Sequence, residues 1–461
     1  MQDITDFKHY LRTDTAAQVF LADNRAEKPL TLARAPGRLD VMGGVADYSG
    51  SLVAEMTIAE AALVALAPRT DRTLRVWSRD IEAEGLTPQV SCSLEDFYSN
   101  GSLLCYEAVH SHLCADPLTR WSAYVFGCAY VLLAEAIVSE FPHGANIILD
   151  SRVPLGAGVS SSAAIEVATM QALSAAYGLN LDGVTVARLA QMVENKVVGA
   201  PCGIMDQMTS ALGSQNSLLL ILCQPHEVQG TQALPDSVRI FGINSNVRHS
   251  VGGSAYTRAR VAAFMGRKIL GVNHLADLAF REGRNPLINT LPTNIMGADF
   301  EQQWGETGDL VTHIDLEAFY NVHAATLHGI REHARVALFT SVLRNVQEGT
   351  MQLEGALTLA GQAMYGYGGS HASYTSIGLG CPETDLLVEL GRAAGPDKGI
   401  YGAKITGGGS GGTVAYLTYG EQSEQTIHEI ADTYQQQTGL MPQIFIGGQS
   451  PGAMAFGSEQ I

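Results

Sequence analysis

Two runs of this 461-residue chain have the residue types and spacing that handle phosphate. Val153-Pro-Leu-Gly-Ala-Gly-Val-Ser-Ser-Ser-Ala-Ala164 is a glycine-rich turn, three serines and then good helix formers. That order aims backbone N–H groups at an anion from the start of a helix. Downstream, Glu194 and the run Cys202-Gly-Ile-Met-Asp-Gln207 supply acids. Glu194 is a candidate metal ligand, and Asp206 a candidate to orient or deprotonate an attacking hydroxyl, which together point to phosphoryl transfer onto a small molecule. A serine-capped helix after a tight turn would by itself account for part of the first run, so other segments must decide.

The two commonest nucleotide motifs are missing. No Gly-x-x-x-x-Gly-Lys-Ser/Thr occurs, and Gly156-Ala-Gly158 is followed by Ser161 where a dinucleotide fingerprint needs glycine. The chemical reading is therefore a cradle of N–H groups spanning Pro154, Gly156, Ala157, Gly158, Val159, Ser160, Ser161, Ser162 and Ala163, with a serine hydroxyl on Mg²⁺. One serine and one carboxylate suffice for a hard cation that keeps several waters, which makes Ser162 and Glu194 a consistent donor pair. Ile405-Thr-Gly-Gly-Gly-Ser-Gly-Gly-Thr413 holds far more glycine than a hairpin needs. Gly407, Gly408 and Gly409 thus imply close approach of backbone to a ligand. Ala35-Pro-Gly-Arg38, followed by Asp47-Tyr48, adds a permanent cation and a carboxylate nine residues on. An Arg–Asp pair is in isolation most simply a structural salt bridge.

The elements that must position these groups can be read from periodicity. Residues 1 to about 30 read as an amphipathic helical lead-in, and 31 to 35 as a strand ending at the Pro36-Gly37 turn. Residues 52 to 67 read as buried strand, 121 to 140 as apolar helix, and 146 to 149 as a short strand feeding the serine loop. Helices are expected over 161 to 177, 181 to 197 and 334 to 361, and strands over 217 to 222 and 238 to 244. Residues 401 to 419 read as strand, glycine turn, strand. The stretch from 270 to 315, with Asn-Pro, Leu-Pro and several glycines, reads as a surface excursion. Gln, Pro, His and Gly cluster at 225 to 237, which places a domain boundary there: residues 1–230 and 231–461.

Composition narrows the class. With 46 acids against 28 bases, net charge −18, nucleic acid is excluded as a partner because such binding rests on clustered Lys and Arg. The bases between Arg258 and Lys268 read as one wet helix face. Seven scattered cysteines without a CxxC pair read as reduced thiols of a cytoplasmic protein, and His110, His112 and Cys114 as part of a half-buried helix rather than zinc ligands. No apolar run reaches the ~18 residues of a membrane span. Met192, Met205 and Met208 read as core filler, and a monomer or small homo-oligomer is expected.

The three glycine-bearing segments resemble the three signature motifs of the GHMP small-molecule kinases. Cys202-Gly-Ile-Met-Asp-Gln207, Asn244-Ser-Asn-Val-Arg-His-Ser250 with Tyr256 and Arg260, and Cys381-Pro-Glu-x-x-Asp-Leu are similar to the galactokinase branch. Ala35-Pro-Gly-Arg-Leu-Asp-Val-Met-Gly-Gly-Val-Ala-Asp-Tyr-Ser-Gly50, with 94–97 and 121–125, is similar to the kinase portion of plant arabinokinases. The resemblance spans residues about 30 to 460. It implies an α+β GHMP kinase fold, with a ribosomal-S5-like N-terminal domain and a ferredoxin-like C-terminal domain. It also implies MgATP as donor and transfer to the anomeric hydroxyl of a sugar. Matched by position, Arg38 and Asp206 are its catalytic pair, Ser162 and Glu194 its Mg²⁺ ligands, and Asp47 and Tyr256 its sugar contacts; His249 reads as structural.

One departure bears on the substrate. Galactokinases read Gly-Glu-His-x-Asp-Tyr where this chain reads Gly43-Gly44-Val45-Ala46-Asp47-Tyr48. The resemblance assigns the lost Glu and His to the 6-hydroxyl of galactose, and L-arabinopyranose is that ring without its hydroxymethyl arm. A buried polar group left unpaired costs about 1–3 kcal/mol, so Gly44 and Val45 favour arabinose. The alternatives are galactokinase activity, a kinase for another galactose-like sugar lacking C6, and a silent sensor binding ATP and sugar.

Overall fold

The computed structural model describes residues 1–248, 254–284 and 286–461. A first sheet is built from β1 (Thr31–Met42), β2 (Leu52–Pro68), β3 (Thr73–Ser78), β4 (Gln89–Ser93), β5 (Ala145–Ser151), β6 (Ser217–Leu222) and β7 (Glu227–Ala233). A second is built from β8 (Val238–Asn244), β9 (Ile400–Ile405), β10 (Thr413–Tyr419) and β11 (Gln443–Ile446), after which β12 (Ser458–Gln460) returns to the first. The first sheet runs β12-β1-β2-β5-β3-β4, with β6 on the near half of β2 and β7 beyond it. Among the described residues, only β3 and β5 pair in parallel. The second sheet runs β9-β10-β8-β11, antiparallel throughout.

The helices of the first lobe are α1 (Gln2–Thr13), α2 (Thr15–Ala22), α3 (Tyr106–Leu113), α4 (Ala123–Ala134), α5 (Ser161–Ala176), α6 (Gly183–Met192) and α7 (Met205–Leu212). Those of the second are α8 (Ser254–Leu270), α9 (Gly297–Trp304), α10 (Val322–Gln347), α11 (Leu353–Tyr365), α12 (Ser370–Ser376), α13 (Pro382–Ala394), α14 (Gln422–Thr438) and the short α15 (Ala453–Phe456), which packs back on α7 and β1. Helix α5 is the spine of the first lobe. Every residue from Ala163 to Ser174 is buried, because alanines and small polar residues let it lie close on β1 and β2. A helix buried all round needs no polar stripe, which explains the lack of amphipathic period there. The α1–α2 lead-in buries Ile4, Phe7, Leu11 and Phe20 on the sheet's other face, with Asp14 capping α2 through the Ala17 N–H at 2.8 Å.

Five expectations change, the first being that the helix expected over 334 to 361 is two, α10 and α11, parted at residues 348–352. Pro36-Gly37 does not end the first strand: β1 continues to Met42 through a register shift between Pro36 and Arg38. Among the described residues, β1 beyond Ala33 pairs with β2 alone, and an edge strand with a bulge tolerates the missing N–H. The 225–237 cluster holds strand β7, so the expected division between residues 230 and 231 lies inside an element. The 270–315 excursion is anchored rather than loose: Phe300 is fully buried, and Asp309 holds Arg260 by two hydrogen bonds of 2.7 and 2.9 Å. Arg260 is accordingly buried, unlike the wet helix face expected of its neighbours.

Candidate active site

The serine run forms the turn from β5 into α5. Gly156 and Gly158 take φ of +71° each and Ser160 +64°, the left-handed region. The carbonyls of this turn are tied from behind: Val159 accepts from the Arg38 N–H (3.1 Å), Gly158 from Arg38 Nη1 (2.8 Å) and Ala157 from the Thr413 hydroxyl (2.8 Å). Among the described residues, none of the N–H groups from Gly156 to Ser162 donates to a protein acceptor. They stand with the free first turn of a 16-residue helix, which is an anion site by construction. The second glycine turn, between β9 and β10, packs against this one, with Gly407 and Gly412 close on the carbonyls of Gly158 and Ala157. Gly408 and Gly409 lie in the same turn. Ser161 turns inward, donating to the Val153 carbonyl (3.2 Å).

Arg38 rises from β1 and Asp206 from the first turn of α7. Arg38 Nη2 and Nε both donate to Asp206 Oδ1, at 2.7 and 3.0 Å, and Nε lies 3.3 Å from Glu55 Oε2. Arg38 is buried whereas the Asp206 side chain keeps 21% exposure, so the pair presents its carboxylate outward. Burial works against the guanidinium's charge, but Asp206, Glu55 and Asp40 outweigh it and raise the pKa of Arg38. Burial raises Glu55 well above its ordinary value, reinforced by Asp40 beside it.

Ser162 lies beside Glu194, near enough to favour the charged carboxylate. Glu194 reaches this point because α6 passes into a π-helical turn, Val193–Val198, closed by Gly199 at φ +80°. Burial moves Glu194 up to about 7, eased by Ser162 and reinforced by Asp206. A buried carboxylate beside a hydroxyl is the donor chemistry a hard divalent ion takes, so the residues present fit Mg²⁺. Two further buried groups adjoin. Gln207 Nε2 donates to Glu194 (2.7 Å) and Glu166 (3.1 Å), and Glu166 Oε1 has no partner among the described residues. Neither was singled out by sequence, although Glu166 sits one helical turn after Ser162 and Gln207 directly follows Asp206.

The segment after β1 runs next to the Arg38–Asp206 pair. Asp47 is buried against Gly203, where any Cβ would overlap its carboxylate, and accepts from the Tyr48 N–H at 2.9 Å. Burial, with Asp206 nearby, raises its pKa to about 6. Tyr256 is buried, edge-on to Tyr48 with ring centroids 6.2 Å apart, and its hydroxyl lies in the field of Asp47. Val45 is 1% exposed and sits at φ +59°, a strained setting for a β-branched residue that costs roughly 1–3 kcal/mol. It belongs to the apolar cluster of Tyr48, Tyr256, Tyr374 and Leu379. The Gly44 carbonyl faces His328 Nε2 at 3.0 Å. Arg38, Asp206, Glu194, Asp47 and the two glycine turns are thus near neighbours, with Val45 and Tyr256 buried beside them; His249 lies outside the described residues.

The metal reading rejected for His110, His112 and Cys114 stays rejected for that trio, since His110 Nδ1 faces the Val197 carbonyl at 2.8 Å. A different trio, Cys92, Asp96 and His112, places three donor atoms within 4.8 Å of one another. Asp96 there already serves the Ser93 capping box. The seven cysteines are free thiols, Met205 and Met208 are core, and no described helix is long and apolar enough to cross a membrane.

Comparison with known proteins bears on the family and the fold. Residues 123–214 match the model of the GHMP kinases N-terminal domain, and residues 345–436 that of the GHMP kinases C-terminal domain. The chain is 38% identical to L-arabinokinase of Arabidopsis thaliana over 94% of its own length, and spans 47% of that larger protein. It is 29% identical to galactokinase of Mannheimia succiniciproducens, over 91% of this chain and 93% of that one. The crystal structure of Lactococcus lactis galactokinase complexed with galactose superposes with a TM-score of 0.72 at 20% identity, covering 98% of this chain and all of that one.

Proposed function

We propose that the chain, whose residues 123–214 and 345–436 match the GHMP kinase N- and C-terminal domain models, is an α+β GHMP kinase and a sugar 1-kinase that moves the γ-phosphoryl of ATP to the anomeric hydroxyl of L-arabinose. The observation that carries this reading is the meeting of Arg38 and Asp206 at 2.7 Å beside a helix start whose N–H groups are free. An attacking hydroxyl needs a base within hydrogen-bond reach and a donor set aimed at the moving charge. Asp206, the outward member of the pair, accepts or steers the proton of O1. Arg38 holds Asp206 by two hydrogen bonds and offsets charge on the phosphoryl oxygens. The N–H groups of Gly156 to Ser162 hold the polyphosphate, with Gly407 to Gly409 covering it. Ser162 and Glu194 would hold Mg²⁺, which when bound neutralises phosphate oxygens, and Gln207 orients Glu194 for that task.

For the acceptor, Asp47 and Tyr256 take ring hydroxyls, and Gly44 with Val45 face the C5 carbon. The arabinose assignment draws on that apolar segment and on the likeness to L-arabinokinase; galactose is the competing acceptor, given the likeness to bacterial galactokinases along nearly their whole length. The lobes meet at the crossover from β7 to β8, residues 234–237, which we take as the domain boundary in place of residue 230. Incubating the protein with MgATP and a panel of free sugars, with the product anomer read by NMR, tests the reading. Formation of an arabinose 1-phosphate is expected; phosphorylation of galactose alone would reassign the acceptor, and absence of sugar-dependent ATP consumption would leave the silent sensor.

A further inference from the structure

The space a side chain at Gly44 would take is filled by Asp40 of β1 and Tyr374 of α12. A Cβ added to Gly44 would lie inside 3.0 Å of both the Tyr374 hydroxyl and Asp40 Oδ2, closer than side chains approach. Neither obstacle is free to step aside. Asp40 Oδ2 accepts from Lys404 Nζ (2.7 Å) and the Gly407 N–H (3.1 Å), and the Asp40 N–H donates to the Thr406 hydroxyl (2.7 Å). The Tyr374 hydroxyl donates to the Gly407 carbonyl at 2.7 Å. Asp40, Lys404 and Tyr374 are all fully buried. Lys404 and Tyr374 come from β9 and α12, so the unit clamps the second glycine turn to β1.

We propose that Asp40, Gly44 and Tyr374 together are the specificity-determining unit, which closes the acceptor site against a substituent on C5 by occupying the space, not merely by withholding hydrogen bonds. The inference rests on the proposed sugar acceptor, and it makes a distinct claim. Glycine at 44 is required by Asp40 and Tyr374, so no longer side chain can be restored there alone. The carboxylate at 40 serves Lys404 from the place that a carboxylate at 44 would otherwise take. Moving that carboxylate by Asp40→Ala with Gly44→Glu, and removing the tyrosine hydroxyl by Tyr374→Phe, keeps Lys404 paired and opens the wall.

The test pairs melting temperature with the ratio of kcat/KM for D-galactose to that for L-arabinose. Gly44→Ala and Gly44→Glu alone are expected to lower Tm by at least ~5 °C, and Tyr374→Phe to reduce the Gly44→Ala penalty. The triple variant is expected to regain most of the Tm lost by Gly44→Glu and to raise the galactose ratio at least tenfold over the native chain. An unchanged Tm in Gly44→Ala, a triple variant no more stable than Gly44→Glu, or a stable triple variant with an unchanged ratio would each overturn the proposal. A native chain that phosphorylates neither sugar would overturn the sugar-kinase reading instead, while the Tm series would still decide whether the wall is packed as described.

Discussion

Arg38 and Asp40 stand two residues apart on one face of β1, yet they serve opposite ends of the site. Arg38 holds a carboxylate, Asp206, that retains exposure and opens toward the cleft. Asp40 holds a lysine, Lys404, and both are sealed at zero exposure. The first pair keeps its acid partly exposed; in the second, Asp40 is held by five hydrogen bonds to the opposite lobe. One strand thus carries both the proposed reactive ion pair and a sealed, architectural one, and exposure of the acid separates them. A buried pair is weak evidence for net stability but costly to break singly, since the remaining charge is stranded.

The sharpest break of this contrast is Asp206→Asn. Turnover should fall by about 10²–10⁴-fold, as for loss of a general base, while nucleotide affinity measured by equilibrium titration stays nearly constant. Full activity in that variant would remove Asp206 from the reaction. At the other end, Lys404→Met strands the Asp40 carboxylate and should lower unfolding free energy by about 3–5 kcal/mol in urea titration. Asp206→Asn should cost clearly less; equal losses would erase the distinction between the two pairs. Asp47 sharpens the picture through pH. Its folded pKa, about 6 against an ordinary 3.8, is raised, so the protonated form favours the fold and its contribution to stability is lost as pH rises through 6. Sugar binding by the ionised form should run the other way, with kcat/KM rising to a midpoint near 6, and Asp47→Asn should flatten that limb. The smallest effect is Tyr256→Phe, a few-fold rise in KM for sugar with kcat unchanged, since one neutral hydrogen bond is worth about 0.5–1.5 kcal/mol.

Sequence made the reactive pair legible and hid the architectural one. Glycine runs, serines and an acid at short spacing announce phosphate chemistry because backbone N–H groups need a particular local conformation, and local conformation is written locally. The strand, turn and helix around the serine loop, and the strand pair around Gly407, were legible for the same reason. Asp40 lies 334 residues from Tyr374 and 364 from Lys404, and nothing local marks them as neighbours. Gly44 was visible only as a missing side chain; that its place is taken could be learned only from the fold. Pro36-Gly37 misled because a turn dipeptide is also what a bulged edge strand tolerates. The 270–315 stretch misled because its anchor, Asp309 on Arg260, pairs across 49 residues without periodicity.

The π turn at Val193–Val198 has one more consequence. Such a turn is an α-helix carrying a surplus residue, so the carboxylate of Glu194 owes its place to chain length and not only to side-chain identity. Deleting any one residue between Asn195 and Val198 would let the helix relax to ordinary winding and rotate the downstream chain by about a quarter turn or more. Substitution at the exposed Lys196 should be accepted, whereas a one-codon deletion should be as damaging as losing the acid itself. The position is protected by its count.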